Sequence, residues 1–205
     1  MRAFINFVIY LFLSFSLICK ANALNESSAR DFVVDIGNKA IKILKIPVDD
    51  KEKRKSELQN LLQEKFDMIL IAKVILGKEI SKNIDNNKLN TFADILETHI
   101  VNVYSSQLGT YKGQKFNVNS TDIKKKDAFV YSTIESPDYP ITNIVWRVRK
   151  RSNELKVIDM QVEGVSLLRT KKNDFAMILN KSGVNGLIDI LKEMNKMPDL
   201  KIPGE

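Results

Sequence analysis

The chain has 205 residues, with 32 Lys and Arg against 25 Asp and Glu for a net charge of +7, and it contains one histidine and one cysteine. One cysteine excludes an internal disulfide, and one histidine with one cysteine is too few to build a zinc site from those residue types. The length suits a single domain with a real core, and the positive balance favours docking on acidic proteins or anionic headgroups.

The N-terminus reads as a secretory signal peptide. Arg2 provides the positive start, Phe4 to Ile18 is almost wholly apolar, and Ala21-Asn22-Ala23 matches the small-x-small cleavage pattern. The apolar run is shorter than the ~20 residues of a spanning helix. Cys19 is a poor lipoprotein acceptor because Ile18, not a small residue, precedes it. Cleavage after Ala23 and a periplasmic location are therefore expected. Losing Arg2 and Lys20 leaves 30 basic against 25 acidic residues, a charge of +5, and no cysteine. The expected organisation is a signal peptide over 1–23, one domain over 24–195 and a Pro-containing flexible tail over 196–205.

Beyond the signal, Ser27 or Ser28 is placed to cap a helix whose apolar face holds Phe32, Val33, Ile36, Ala40, Ile43 and Leu44, and Pro47 ends it. Asp49-Asp50 opens a second helix, with Leu58, Leu61, Leu62 and Phe66 on one face. Residues 66–80 are apolar nearly all round, as in a buried helix, with Gly77 as C-cap. From Asn86 a long amphipathic helix carries Leu89, Phe92, Leu96, Ile100, Tyr104, Leu108 and Tyr111 on one stripe and ends near Gly113.

The apolar period then changes from 3.6 to 2. Strands are expected near 115–122, 127–136, 141–150 and 154–168, with turns at Lys126-Asp127, Pro137 to Pro140 and Ser152-Asn153. Two helices follow, Thr170 to Asn180 and Val184 to Lys196, with Gly183 between them. Helices, then consecutive antiparallel strands, then helices argue an α+β fold.

The chemistry of an enzyme is sparse. His99 sits mid-helix with no nucleophile motif around any serine, and neither GxxxxGK[ST] nor GxGxxG is present. Asp159 and Glu163 stand four apart on a strand, which permits paired carboxylates but fits a solvated edge or structural ion pair better. Phe129, Tyr131 and Trp146 are not interleaved with lysines as on a nucleic-acid-binding sheet. No nucleic acid, metal or cofactor is expected. Glu163-Gly164 interrupts the alternation of the fourth strand. A plain hairpin turn would explain it, but a bent strand, with a bulge at the glycine, is the favoured expectation.

Three segments in fixed order, EKFDMILIAKVILGK (64–78), FADILETHIVNVYSSQLGTY (92–111) and 155–191, resemble the MlaC or toluene-tolerance family of auxiliary transport proteins. Val162-Glu163-Gly164-Val165-Ser166-Leu167 is the most specific element. One departure is Lys78-Glu79-Ile80, where the family often has an aromatic shortly after the glycine. The resemblance implies a twisted antiparallel sheet of about four strands wrapped by helices, NTF2-like, around a deep apolar pocket for phospholipid acyl chains. It also implies traffic between an outer-membrane lipoprotein complex and an inner-membrane ABC transporter carrying an MCE-domain protein. A monomer would suit a shuttle.

Taking residue faces and the matching motifs together, the expected lipid-binding residues are Tyr104, Leu108, Tyr111, Ile144, Trp146, Val148, Met160, Val162, Val165, Leu167, Phe175 and Ile178. Glu163 and Gly164 form the expected bend. Arg147, Arg149, Lys150 and Arg151 are either a docking or headgroup patch or a solvated edge. The competing readings are a pocket enzyme with Asp159 as general base and a non-catalytic envelope protein that binds only other proteins.

Overall fold

The structure is a computed structural model that describes residues 24–197; the expected signal peptide and most of the expected tail lie outside that range. Four helices precede the sheet: α1 (Glu26–Leu44), α2 (Lys51–Lys65), α3 (Met68–Asn83) and α4 (Asn86–Gln107). Each begins where a short polar side chain satisfies an otherwise orphaned backbone donor. Asp50, Asp67 and Asp85 cap α2, α3 and α4. For α1 the cap is Asn25, whose side-chain Oδ1 accepts from the Ser28 amide at 2.8 Å. Ser28 is its partner three residues on rather than the cap itself, which corrects the expected start.

Inside α3 the backbone leaves helical geometry at Gly77, with φ 82° and ψ 165°. The expected C-cap is thus a break after which a further helical turn resumes. The amphipathic helix α4 stops six residues before Gly113, so Leu108 and Tyr111 lie beyond it. Gly109 follows the last residues of α4, and the buried Arg54 of α2 meets that end. Its guanidinium donates to the carbonyls of Leu108 and Gly109 at 2.7 and 2.8 Å, bringing positive charge to the carboxyl end of a helix whose own last turn has none.

The sheet is an antiparallel meander of β1 (Lys115–Lys124), β2 (Asp127–Ser136), β3 (Tyr139–Arg151), β4 (Glu154–Val162) and the two-residue β5 (Val165–Ser166), in that spatial order. The α+β expectation holds, with a short fifth strand added to the four. Ser152 and Asn153 both take positive φ, 46° and 71°, as the hairpin reading required. The first turn falls at Lys125-Lys126, one residue early, with Lys125 at φ 58°.

Glu163-Gly164 is a tight turn, and the bent-strand expectation is wrong. Val162 pairs with Val165 and Gln161 with Ser166 across it. Glu163 has φ 48° and Gly164 φ 79°, the two left-handed residues of a type I′ hairpin. The Glu163 carboxylate accepts a short hydrogen bond from the Asn143 amide, and its own amide donates to the Asn143 carbonyl at 3.0 Å. The turn is therefore tied to β3 from both sides. The irregularity in β4 lies instead between Val157 and Asp159, opposite Val148 and Arg147, so Ile158 is an extra residue there.

Helix α5 (Leu167–Lys196) follows β5 directly and changes direction at Gly183, φ 63°. The two expected helices are its two halves. Its start is Leu167 rather than Thr170, because the Ser166 hydroxyl caps the Arg169 amide at 3.0 Å.

Among the described residues the buried apolar side chains fall into two clusters. One is helical, built on Phe92, Leu96, Ile75, Phe175, Leu187 and Leu191 from α3, α4 and α5. The other joins α1 and the end of α2 to the inner face of the sheet, through Val33, Ile36, Val130, Trp146, Val148 and Val157. Phe66, in the α2–α3 link, packs against both. A parallel bridge between Phe66 and Val157, with an Asp67 amide to Val157 carbonyl bond of 3.0 Å, fixes that link to β4.

Candidate binding cavity

A cavity of about 260 Å³ opens where the two clusters meet. Ile36 and Ala40 of α1, Leu58, Leu61 and Leu62 of α2, and Met68, Ile71 and Ile75 of α3 line it. Ile100 and Tyr104 of α4, Trp146 of β3, Ile158 and Met160 of β4, and Leu167 and Leu168 of α5 complete the apolar wall, with Phe66 and Leu108 from the connections. Among the lining residues only Asp159 and Lys171 carry full charges.

Polar atoms near the cavity are turned to other work. The Trp146 indole N–H donates to the Ser132 hydroxyl at 2.9 Å, so the ring presents its apolar body. Phe116 meets that ring edge-on at 6.2 Å between centroids, and Phe116 in turn lies on Gly37 of α1. The Asp159 carboxylate accepts from the Met160 amide (2.8 Å), the Ser166 hydroxyl (2.8 Å) and the Leu168 amide (3.2 Å). It fastens the start of α5 to β4. A wall of this kind attracts hydrocarbon and offers water little to bond to.

Of the twelve residues expected to line a pocket, Tyr104, Leu108, Trp146, Met160 and Leu167 do so. Seven stand elsewhere. Phe175 is fully buried in the helical cluster, tilted against the His99 ring at 6.3 Å, and Ile178 packs on the same cluster. Ile144 and Val148 share the inner face of β3 with Trp146, as the alternation required, but are enclosed in the sheet cluster. Val162 is held in the β4–β5 pairing, and Val165 is 58% exposed. Tyr111 follows α4 under the Lys45 ammonium, 4.8 Å from its ring centre. Faces were legible in these cases; depth was not. The wall from α1 and α2 was not foreseen, although Ile36, Ala40, Leu58, Leu61 and Leu62 stand on the apolar faces read from periodicity.

The arginines of β3 are largely committed to structure. Arg147 and Arg149 both grip the buried carboxylate of Asp127, with Nε and Nη2 of Arg147 at 2.8 and 2.6 Å and Nη2 of Arg149 at 2.7 Å. Burial pushes the Asp127 carboxyl up, and the hydrogen bonds from Arg149 and Arg147 outweigh it and hold the group below the usual range. Arg151 reaches Asp67 at 3.1 Å, and Lys150 also has an interaction partner. Arg147, Arg149 and Arg151 thus take part in ion pairs on the sheet, with Arg147 and Arg151 still about half exposed.

His99 is buried within α4. Among the described residues no group of three or more His, Cys, Asp or Glu side chains is placed to hold a metal ion, and no helix is long and apolar enough to cross a membrane.

Comparison with known proteins bears on the whole assembly. The family model of the MlaC protein matches residues 35–193. No curated protein matches the chain by sequence. A solved phospholipid-binding protein from Ralstonia solanacearum, in complex with a phospholipid, superposes with a TM-score of 0.72 at 21% identity, over 84% of this chain and 99% of that one. At that identity the likeness is one of fold.

Proposed function

The chain belongs to the MlaC family, and from that premise we propose that it is a phospholipid carrier that holds acyl chains in the cavity between the helical cluster and the sheet. The observation that carries the reading is the lining itself, apolar on every wall, with the two charged residues among it, Asp159 and Lys171, bound to other groups. The phospholipid bound to the Ralstonia protein of the same fold supports it. Asp159, whose oxygens are taken by the start of α5, suits a structural role better than a general base. A binding protein fits these residues better than an enzyme.

Energetics give such a carrier its purpose. A diacyl lipid exposes ~30 methylenes worth ~0.8 kcal/mol each, so its escape into water costs on the order of 20 kcal/mol. A cavity that reproduces the apolar interior of a bilayer makes exchange between two membranes nearly neutral. In this role the protein is exported by residues 1–23 and shuttles lipid as a monomer. Its route runs between an outer-membrane lipoprotein complex and an inner-membrane transporter bearing an MCE domain. The cavity is smaller than the ~300–1,000 Å³ typical of drug-sized ligand sites. Two acyl chains therefore enter only if the walls part, and the seam between two separate apolar clusters is where parting breaks fewest contacts.

Native mass spectrometry of protein purified from the periplasm tests the proposal. A discrete adduct of phospholipid mass, recovered by solvent extraction, is the expected result. A clean protein mass with no uptake from labelled vesicles would remove the carrier reading.

A further inference from the structure

Positive charge is concentrated at one end of the sheet. In the antiparallel meander the β1–β2 and β3–β4 turns fall at the same end. Asp127 pairs with Arg149, so both turns project beyond that pair side by side. Residues 122–127 read Asp-Ile-Lys-Lys-Lys-Asp and 149–156 read Arg-Lys-Arg-Ser-Asn-Glu-Leu-Lys, seven cations against three acids. Lys124 lies 3.9 Å from Asp122, Arg151 3.1 Å from Asp67 and Lys156 3.3 Å from Glu154, while Arg149 grips Asp127. Lys125 and Lys126 are exposed, and no ion pair among the described residues engages them. Turn stability does not call for these lysines. Lys125 has φ 58°, a left-handed conformation that Gly or Asn adopts with less strain. Charge on an edge strand deters edge-to-edge pairing, but Lys125 and Lys126 stand in the turn, past the paired backbone of β1.

We propose that these two turns form a docking surface for an anionic lipid bilayer. The inference goes beyond the carrier reading, because it concerns how the protein meets a membrane and not what its cavity holds. A specific protein partner is gripped through a desolvated, often aromatic centre. This end of the sheet offers none. Ile123, 38% exposed, is its one exposed large apolar side chain among the described residues. The Phe129 ring is covered by Lys124 and Arg147, 5.4 and 5.8 Å from its centre. A bilayer with anionic headgroups needs no such centre. It attracts each lysine that comes within about a Debye length, whatever the rotamer of the stem. The Arg151–Asp67 pair ties the surface to the α2–α3 link, whose Phe66 lines the cavity. Docking at this end therefore brings the Phe66 side of the cavity toward the lipid.

The mature protein, as purified, would be sedimented with vesicles of phosphatidylcholine alone or of three parts phosphatidylcholine to one part phosphatidylglycerol. The wild type is expected to bind the anionic vesicles about tenfold or more tightly at low salt, and to lose that preference at about 0.5 M NaCl. Lys125→Glu combined with Lys126→Glu should abolish it. Lys181→Glu combined with Lys192→Glu makes the same change in net charge at exposed positions of α5, and should keep most of it. Thermal melting checks folding, and Lys125→Asn with Lys126→Asn, which suits a turn, serves if the Glu pair does not fold. Equal loss in the two Glu pairs overturns the surface, since net charge alone would then decide binding. A wild type that binds both kinds of vesicle alike, or neither, overturns the proposal. Soluble poly-L-glutamate bound through Lys125 and Lys126 in place of vesicles would assign the surface to an acidic protein instead. Lipid content by extraction should match the wild type in every variant, so the docking and carrier readings fail separately.

Discussion

Two glycines do different jobs, and substitution separates them. Nothing lies within 4 Å of a Cβ built on Gly164, so its whole requirement is the left-handed φ of the turn. Gly164→Ala should cost about 1–2 kcal/mol from backbone strain, seen as a lower urea midpoint, while lipid content stays unchanged. A bent strand shaping the cavity would have predicted loss of lipid instead. Gly37 is ordinary in conformation but crowded. A Cβ there would stand 2.1 Å from Cδ1 of the Phe116 ring, the same ring that abuts Trp146. Gly37→Ala should therefore push β1 away from α1, at about 1–3 kcal/mol. Through Trp146 it should also lower lipid retention, which extraction and mass analysis would detect. Glu163-Gly164 was misread from sequence because the strand beyond the turn is only two residues long. The alternation had no length in which to declare a hairpin.

Among elements, α4 shows local pattern and tertiary contact acting at one helix end. Tyr104 and Leu108 continue the helical stripe, and Gly109 is the local stop signal that comes before Gly113. Arg54, far upstream, reinforces that stop by taking the carbonyls of Leu108 and Gly109. Arg54→Met keeps the stem and removes the donors. It should destabilise the protein by about 1–3 kcal/mol and weaken amide protection at the end of α4, measured by hydrogen exchange. The change of period from 3.6 to 2, by contrast, announced the helix-to-sheet order directly, and alternation placed Ile144, Trp146 and Val148 on one inner face. Which of the three meets the cavity depends on α1 and α2 packing beneath them, and on where Phe116 stops. Filling the wall tests that geometry. Ala40→Phe should reduce phospholipid uptake about tenfold with little loss of thermal stability, because the added ring occupies space already open.

For the whole molecule, acid is the informative variable. Hydrogen bonds from Lys39 and then Lys65 lower the Glu64 carboxyl to about 2. The Lys65 hydrogen bond lowers Asp35, against the opposing effect of burial. Asp127 is lowered as well, its arginines overcoming the effect of burial. Each has a folded pKa below its unfolded value, so its contribution is complete above about pH 4. It is lost as pH falls through the folded values, about 2 in the case of Glu64. Glu64 and Asp35 are about half exposed, and solvent screening leaves them a small share. Asp127, at 6% side-chain exposure, should dominate. Asp127→Asn is expected to lower stability at pH 7 by about 3 kcal/mol by orphaning Arg149 and Arg147, and to flatten the fall in urea midpoint between pH 5 and 2.5. A variant with the wild-type slope would show that the acid sensitivity lies elsewhere. The sequence displayed both arginines, but only the β2–β3 register brings them to Asp127.

The division of the interior has a thermodynamic reading as well. Phe66 is a principal bridge between two apolar clusters that otherwise face each other across a cavity, so heat should not melt them as one body. Differential scanning calorimetry of lipid-free protein is expected to give a van't Hoff enthalpy below the calorimetric one, the mark of two loosely coupled cooperative units. Cargo that fills the gap would supply the missing contacts. Loading should then merge the two transitions into one, making the lipid a structural component of the protein for as long as it is carried.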